Sequence, residues 1–430
     1  MRKGILALLM CLAVAGLAIS QNEPQSPQPA PKIMGLDTAP QGTPDSDQLD
    51  PLNSTNPAGN GLGIYWGVVL GNFNSSDAAQ EIACDFGSSG VWVFDSSVWH
   101  QITGVNPEFM IGSTLGDTAD DEIIGDFGTL GLWMWHYNSY PGTWTQISGL
   151  NAEWAFAADD DGDTHQEIFV DFGATGLWHW DNDGPLWTQY SGLNPIHGFR
   201  MDSYASGWEE GCILFPTGGV FRFYSYGGSS FTYQQLTGTV NTEDDHASAK
   251  FTGGAAEDMI MDFGAGLGIW LLPQDSLTAW HQISTAGAER LKPVRFGSGN
   301  PGVVIEFNSV PGLTYWTYSG YPGTQVKIHD TYTFNSGFWE PFDYTIDAGT
   351  NDDELAVDFG TSGLWKYEYN DNSWAQLSGS DPLFMVAGDY FGDGRNTTLM
   401  VAFATGLYLY DGLFHSWSQL SGVAPDSGFY

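Results

Sequence analysis

The chain has 430 residues, of which 51 are Asp or Glu and only 12 are Lys or Arg, so its formal net charge is −39. A surface this acidic repels nucleic acid and anionic lipid, and the sequence has no basic stripe that would bind a phosphate backbone. Beyond the N-terminal residues, no segment has the roughly 20 consecutive apolar residues of a membrane-spanning helix. We therefore expect neither a nucleic-acid partner nor a transmembrane segment.

The N-terminus has the pattern of a secretory signal. Residues 1–20 begin with two basic residues, continue with an apolar stretch and end in Ala18-Ile19-Ser20, which predicts cleavage near Ser20 and an extracellular protein. Residues 21–60 contain eight prolines among Gln, Ser, Asp and Asn, a composition typical of a disordered linker.

The rest of the chain is a repeat. The triplet Asp-Phe-Gly, closely followed by Gly, an aliphatic residue and Trp, occurs intact five times, and degraded copies occupy three gaps. The phenylalanines that mark the eight copies are Phe86, Phe127, Phe172, Phe215, Phe263, Phe307, Phe359 and Phe403. Their mean spacing of about 45 residues is the length of a four-stranded propeller blade.

One unit shows how such a blade is built. The last unit contains four short apolar or alternating runs at 384–388, 399–403, 407–410 and 417–420, and Gly or Asp stands at every joint. This pattern predicts a four-stranded antiparallel meander. The sequence thus predicts an all-β protein, a β-propeller of eight four-stranded blades over residues 61–423, with 424–430 as a C-terminal tail. A seven-bladed ring with one aberrant unit is the alternative.

Several recurring residues are interpreted as structural. A fourth-strand pattern Trp-x-Gln-Ile/Leu recurs in most units, and its tryptophans are expected to pack between adjacent blades rather than to bind sugar. The Asp and Gly of the repeated triplet are interpreted as turn formers at a strand end. Cys84 and Cys212 lie in units one and four, too far apart for a disulfide in a radial fold, and are predicted to be buried free thiols.

The joint between the first two strands of unit three is the most specific motif. It reads DDDGDTHQEI and places Asp159, Asp161, Asp163 and Glu167 at positions 1, 3, 5 and 9 of a tight loop. Alternate acids on a sharp turn direct hard oxygen ligands to one point, an arrangement that suits Ca²⁺. Together with AGDYFGDG at 387–394, this joint resembles the FG-GAP or VCBS repeat, the blade of integrin α-chain propellers and of many secreted bacterial proteins.

The resemblance implies a propeller whose first strand is innermost and whose first loop binds Ca²⁺. Unit three matches the ligand pattern well. In the last unit Asp389 and Asp393 match, but Phe391 and Thr397 stand where ligands are expected. We therefore expect one Ca²⁺ site and consider Asp389 and Asp393 a weaker second one. An Asp-rich turn satisfied by backbone N–H groups and water is the alternative for both.

The sequence contains no recognisable catalytic motif, and its nine histidines have no metal-ligand spacing. The longest departure from the repeat, the connection from His329 to Asp343, is rich in rings and acids. Its candidate ligand-binding residues are Asp330, Tyr332, Trp339, Glu340 and Asp343.

Three functional hypotheses follow. The preferred one is a secreted, non-catalytic and monomeric propeller that binds an extracellular protein or glycan and is stabilised by Ca²⁺. A lectin-like carbohydrate-binding module and a glycan-active hydrolase or lyase are the alternatives. Exposed, paired aromatic residues in equivalent loops of several units would favour the lectin, because a repeated site needs repeated platforms. A converging cluster of carboxylates or histidines at the central channel would favour the enzyme.

Overall fold

The structure is a computed structural model that describes most of the repeat region. The described residues are 67–74, 79–115, 120–163, 165–182, 186–203, 208–225, 231–239, 246–264, 266–274, 279–296, 299–307, 310–330, 339–342, 353–388, 390, 398–412 and 414–426. The predicted signal peptide (1–20) and linker (21–60) lie outside them. Within the described residues no helix has the length and apolar character needed to cross a membrane.

The described chain forms 32 strands in eight separate four-stranded sheets, and each sheet pairs its strands in sequence order. Blades 1 and 2 contain β1–β4 (Val68–Gly71, Glu81–Asp85, Val91–Asp95, Val98–Thr103) and β5–β8 (Phe109–Ser113, Glu122–Asp126, Leu132–His136, Thr143–Ser148). Blades 3 and 4 contain β9–β12 (Trp154–Ala158, Glu167–Asp171, Leu177–Asp181, Leu186–Ser191) and β13–β16 (His197–Met201, Glu210–Phe215, Gly219–Ser225, Phe231–Thr237).

The second half follows the same plan. Blades 5 and 6 contain β17–β20 (His246–Ala249, Asp258–Asp262, Ile269–Leu272, His281–Ser284) and β21–β24 (Ala288–Val294, Gly302–Phe307, Val310–Thr317, Thr324–Lys327). Blades 7 and 8 contain β25–β28 (Trp339–Phe342, Glu354–Asp358, Leu364–Glu368, Ser373–Ser378) and β29–β32 (Pro382–Gly388, Thr398–Phe403, Gly406–Asp411, Ser416–Ser421). All pairings are antiparallel. The all-β propeller prediction is therefore confirmed.

The sheets close into a ring of eight blades, so the seven-blade alternative is wrong. Each of the eight junctions between neighbouring blades has its own hydrophobic cluster. The cluster that joins the last blade to the first packs Val68 and Ile82 against Phe384 and Met400. The first strands of five pairs of neighbouring blades contact each other, which places the first strands innermost. None of the described strands is exchanged between the termini, although the Asp426 N–H donates to the Asp85 carbonyl of blade 1 at 2.8 Å.

The fourth-strand tryptophans do pack between blades, as predicted. The Trp144 indole N–H donates to the Ile102 carbonyl of the preceding blade at 3.0 Å, and the Trp99 indole closes the ring by donating to Leu420 at 2.9 Å. The same bond recurs from Trp187, Trp280 and Trp374, and Gln325 replaces it in blade 6. Cys84 and Cys212 are buried free thiols, as predicted.

The triplet Asp-Phe-Gly forms a turn between the second and third strands. In blade 3 the Asp171 side chain accepts the Gly173 N–H at 2.9 Å, and Gly173 begins a short 3₁₀ turn over Gly173–Thr175 with a φ of 60°. Trp178 and Gln189 donate to the Thr175 carbonyl from the third and fourth strands. The repeated residues therefore build the blade.

Candidate functional site

A buried acid begins the second strand of most blades and closes the loop that precedes it. In blades 1 to 4 this acid accepts the backbone N–H of the residue seven positions earlier, at 2.9 Å in every case. The four pairs are Asn74 and Glu81, Leu115 and Glu122, Asp160 and Glu167, and Ser203 and Glu210. Glu167, predicted only as a metal ligand, thus also has the structural role of its equivalents in other blades.

The blade 3 loop brings together three of the four predicted calcium ligands. One oxygen each from Asp159, Asp161 and Glu167 lies within 4.8 Å of the others. Asp159 Oδ1 also accepts the Gly162 N–H at 2.7 Å, which folds the loop tightly. Asp163 is not in this group, and its Oδ1 accepts the His165 N–H at 2.8 Å.

Gly162 lets this loop approach the next blade. Its φ is +82°, a left-handed conformation that favours glycine. A Cβ at this position would lie 1.6 Å from the Trp208 indole nitrogen, so no larger residue fits. The Glu209 N–H of blade 4 donates to the Asp159 carbonyl at 2.7 Å. The acidic loop is therefore held against blade 4 and is a firm platform for ligands.

The loop concentrates negative charge. Burial, followed by the neighbouring Asp163 carboxylate, raises the pKa of Asp161. Burial and then the Asp160 carboxylate raise the pKa of Glu167. Both causes disfavour ionised oxygens, and a bound cation reverses that effect by neutralising them. Oxygen ligands from three carboxylates at this separation fit Ca²⁺.

A second group lies directly beneath the loop and was missed by sequence reasoning. Asp160, Glu167 and His179 are all buried, and their ligand atoms also lie within 4.8 Å of one another. Asp160 Oδ1 is 3.2 Å from His179 Nε2, and Asp160 Oδ2 accepts the Tyr190 hydroxyl at 3.3 Å. These two blade 3 groups are the only potential metal-ligand sets of three or more found in the described part of the chain.

The aromatic connection between blades 6 and 7 is described only in part. Asp330 is exposed and lies 3.0 Å from Lys327 Nζ. The backbone of Trp339 and Glu340 belongs to β25, the innermost strand of blade 7, so the strand begins inside the segment predicted as a loop. Tyr332 and Asp343 lie outside the described residues, as do Asp389 and Asp393 of the weaker calcium loop.

Two hairpins carry an arrangement of tyrosines that sequence reasoning also missed. In blade 2 the Tyr137 and Tyr140 rings are 5.1 Å apart, and in blade 6 the Tyr318 and Tyr321 rings are 5.4 Å apart. Tyr140 stacks on His100 of the preceding blade at 3.7 Å, and Tyr321 stacks in the same way on His281 at 3.6 Å. The signal was present, because Tyr-Pro-Gly-Thr occurs at 140–143 and 321–324.

No protein-family model matches the sequence, and no curated protein matches it. Among solved structures, the chain is similar to an Agrocybe aegerita lectin described for specific recognition of non-reducing terminal N-acetylglucosamine. The identity is 15%, the TM-score is 0.45, and the match covers 63% of this chain and 81% of the lectin.

It is also similar to Sqt1 of Chaetomium thermophilum, with 11% identity and a TM-score of 0.46 over 81% of this chain and 95% of that one. An ancestral GH74 enzyme is 12% identical, with a TM-score of 0.35 over 83% of this chain and 57% of the enzyme. At these identities the likeness concerns the fold alone.

Proposed function

We propose that the protein is an exported, non-catalytic propeller of the FG-GAP type that binds an extracellular protein or glycan, with Ca²⁺ stabilising its blade 3 loop. The observation that carries the proposal is the convergence of Asp159, Asp161 and Glu167 oxygens within 4.8 Å on a loop fixed against blade 4. Asp163 is the fourth ligand expected from the repeat resemblance. Bound Ca²⁺ supplies positive charge to this cluster and ties the loop to the second strand.

Four turn aspartates with raised pKa values favour a structural interpretation over a catalytic one. Burial is the main cause that raises the pKa of Asp85 and Asp171 to about 8, and that of Asp126 and Asp358 to about 7. A perturbed carboxyl can signal catalysis. These four, however, occupy the same turn in four different blades, and each bonds to its own turn backbone. A reaction centre is unique in a ring, whereas this feature repeats.

The tyrosine hairpins support a second candidate, glycan binding. They present paired rings at equivalent positions of two blades that lie opposite each other in the ring, and Tyr321 is 42% exposed. Aromatic rings with a polar hydroxyl offer a flat apolar surface and a hydrogen-bonding group together. Paired rings in two blades match part of the repeated pattern expected of a carbohydrate-binding propeller, although the Tyr140 hydroxyl already donates to Asp95 at 3.1 Å.

A glycan array tests the glycan candidate. We expect the full chain to bind a discrete set of glycans, and Tyr321→Ala to reduce that binding while leaving the thermal midpoint nearly unchanged. Phe414→Ala is the matched control, because Phe414 is an unrelated aromatic that is 74% exposed in a blade 8 hairpin. Equal losses in both variants, or no glycan bound with or without Ca²⁺, would contradict the glycan candidate.

The aromatic connection is tested separately against a protein partner. Tyr332→Ala in the full chain is expected to abolish capture of an extracellular partner isolated with wild type, while leaving stability nearly unchanged. A loss of several kcal/mol, of the size that buried aromatics cause, would show instead that this tyrosine is part of the core.

A further inference from the structure

We propose that Asp160, Glu167 and His179 form a second metal site, which binds a divalent transition-metal ion such as Zn²⁺ in the interior of blade 3. The three residues are 1%, 4% and 6% exposed. The inference concerns a different ion from the Ca²⁺ proposed for the loop and does not depend on any partner of the propeller.

The geometry suits such an ion. Zn²⁺ binds imidazole nitrogen at about 2.0 Å and carboxylate oxygen at about 2.1 Å, so neighbouring ligands in a tetrahedral site lie about 3.4 Å apart. Asp160 Oδ1 and His179 Nε2 are 3.2 Å apart, and the Glu167 ligand atom lies within 4.8 Å of both. Imidazole nitrogen and carboxylate oxygen are both zinc ligands, and three protein ligands leave a fourth tetrahedral position for water.

The imidazole is held in place for this role. The His179 ring stacks on Tyr190 at 4.6 Å and packs edge-on against Phe169 at 5.2 Å. The Tyr190 hydroxyl also donates to Asp160, which fixes that carboxylate. Surrounding contacts of this kind orient metal ligands and restrict their movement.

Blade 4 has a fixed cation at the equivalent position. Ser203 and Glu210 occupy the places of Asp160 and Glu167, since each pair shares the seven-residue bond that closes the loop. Arg222 occupies the place of His179, because the two pair with equivalent second-strand residues. Its guanidinium donates to Ser203 and Gln234 and attracts Glu210.

Blade 3 therefore has one more carboxylate than blade 4 and an imidazole in place of a guanidinium. The described side-chain partners of Asp160 are an imidazole, a phenol and the Glu167 carboxyl, and none of them carries a fixed positive charge. Two adjacent buried carboxylates need a cation to remain ionised. An imidazole can bind a metal ion, whereas a guanidinium cannot. A histidine in place of the blade 4 arginine is therefore the change expected if a metal ion supplies the positive charge in blade 3.

The test uses the full chain after metal removal by a chelator and dialysis. Zn²⁺ is titrated in competition with a chromogenic zinc chelator, and Co²⁺ is titrated separately while visible absorption is recorded. We expect one Zn²⁺ per chain for wild type. His179→Ala should weaken zinc binding by more than about tenfold and remove the Co²⁺ absorption. Asp161→Ala should retain both, because Asp161 belongs only to the loop.

A double variant guards against a folding defect. Asp160→Ser with His179→Arg installs the blade 4 residues, and we expect it to fold, as judged by near-ultraviolet circular dichroism, without binding either metal. Zinc affinity equal to wild type in His179→Ala or in the double variant would overturn the proposal. The proposal would also be overturned if the wild-type protein did not compete with the chelator for Zn²⁺, or if Asp161→Ala lost zinc binding. Calcium stabilisation and partner binding are measured separately, so failure here leaves the proposed function intact.

Discussion

Blades 3 and 4 are neighbours built on one plan, yet they balance buried charge in opposite ways. Each uses a glutamate at the start of its second strand to close the preceding loop. Blade 4 faces that glutamate with Arg222, whereas blade 3 adds Asp160 and supplies only His179. The loop-closing glutamate is therefore common to both blades and structural. The residues around it differ, and they determine how its charge is balanced. A blade with its own arginine needs no metal ion.

The largest expected effect comes from removing the internal cation of blade 4. Arg222 is fully buried, so Arg222→Ala leaves the Glu210 carboxylate without its guanidinium. We expect a loss of about 3–5 kcal/mol, as for other buried pairs that lose one partner. Urea denaturation midpoints measure it. His179→Ala in chelator is the control, with an expected loss of about 1–3 kcal/mol; equal losses would show that the two blades balance charge alike.

A smaller effect is expected at the hydrogen bond that joins the fourth strand to the preceding blade in six of the blades. Trp144→Phe keeps an aromatic ring at the junction of blades 1 and 2 but removes the indole donor to Ile102. We expect a loss of about 2 kcal/mol from the bond and the reduced packing. Gln325 makes the equivalent bond in blade 6, so Trp144→Gln should retain part of the polar contribution. A urea midpoint unchanged in Trp144→Phe would contradict a role for this bond between blades.

The smallest effect is expected from removing a negative charge beside the turn between the second and third strands of blade 7. An asparagine follows each of blades 1 to 3, at positions Asn106, Asn151 and Asn194. With the amide nitrogen directed inward, each asparagine donates to the turn aspartate of its blade. Asp381 holds that place after blade 7, where burial and then its carboxylate help to raise the pKa of Asp358 to about 7. A carboxyl whose pKa is raised by folding stabilises the protein below its unfolded pKa of about 4, and that stability is lost as pH rises through about 7.

Asp381→Asn should therefore stabilise the protein at pH 8, by about 1 kcal/mol, because an amide donor replaces a repelling carboxylate. At pH 5 the change should be close to zero. Denaturant midpoints of wild type and variant at the two pH values measure the difference. A variant that is less stable than wild type at pH 8 would contradict this explanation.

The fold could be predicted from the sequence because the repeated residues are the ones that form and join the blades. The Trp144 indole, the Asp171 turn and the glycines that follow recur at fixed intervals, and the structure uses each of them to form or join blades. The inner strand of blade 7 was the exception. Its residues, from Trp339 onward, lack the repeat pattern and were interpreted as part of a loop, although a blade needs an inner strand.

The candidate site was harder to predict because it depends on departures from the repeat. The predicted ligands are at positions 1, 3, 5 and 9 of the loop, and Asp160 is at position 2. The spacing therefore did not indicate that the Asp160 side chain is buried in the blade. His179 lies 12 residues after Glu167, which closes the loop, and meets Asp160 only through strand pairing. One signal was available. Val93, Met134 and Leu271 are apolar at this register position in blades 1, 2 and 5, whereas blades 3, 4 and 7 place His179, Arg222 and Lys366 there, all of them buried.

The most direct measurement is thermal unfolding of the full chain in excess chelator and in millimolar Ca²⁺, for wild type and for Asp161→Ala. Binding to the folded state at about 100 times the dissociation constant adds about 2.7 kcal/mol. We therefore expect Ca²⁺ to raise the wild-type midpoint by at least about 2 °C. The variant lacks one converging ligand and should show little or no rise. A wild-type midpoint that does not respond to Ca²⁺ would contradict the calcium site in blade 3.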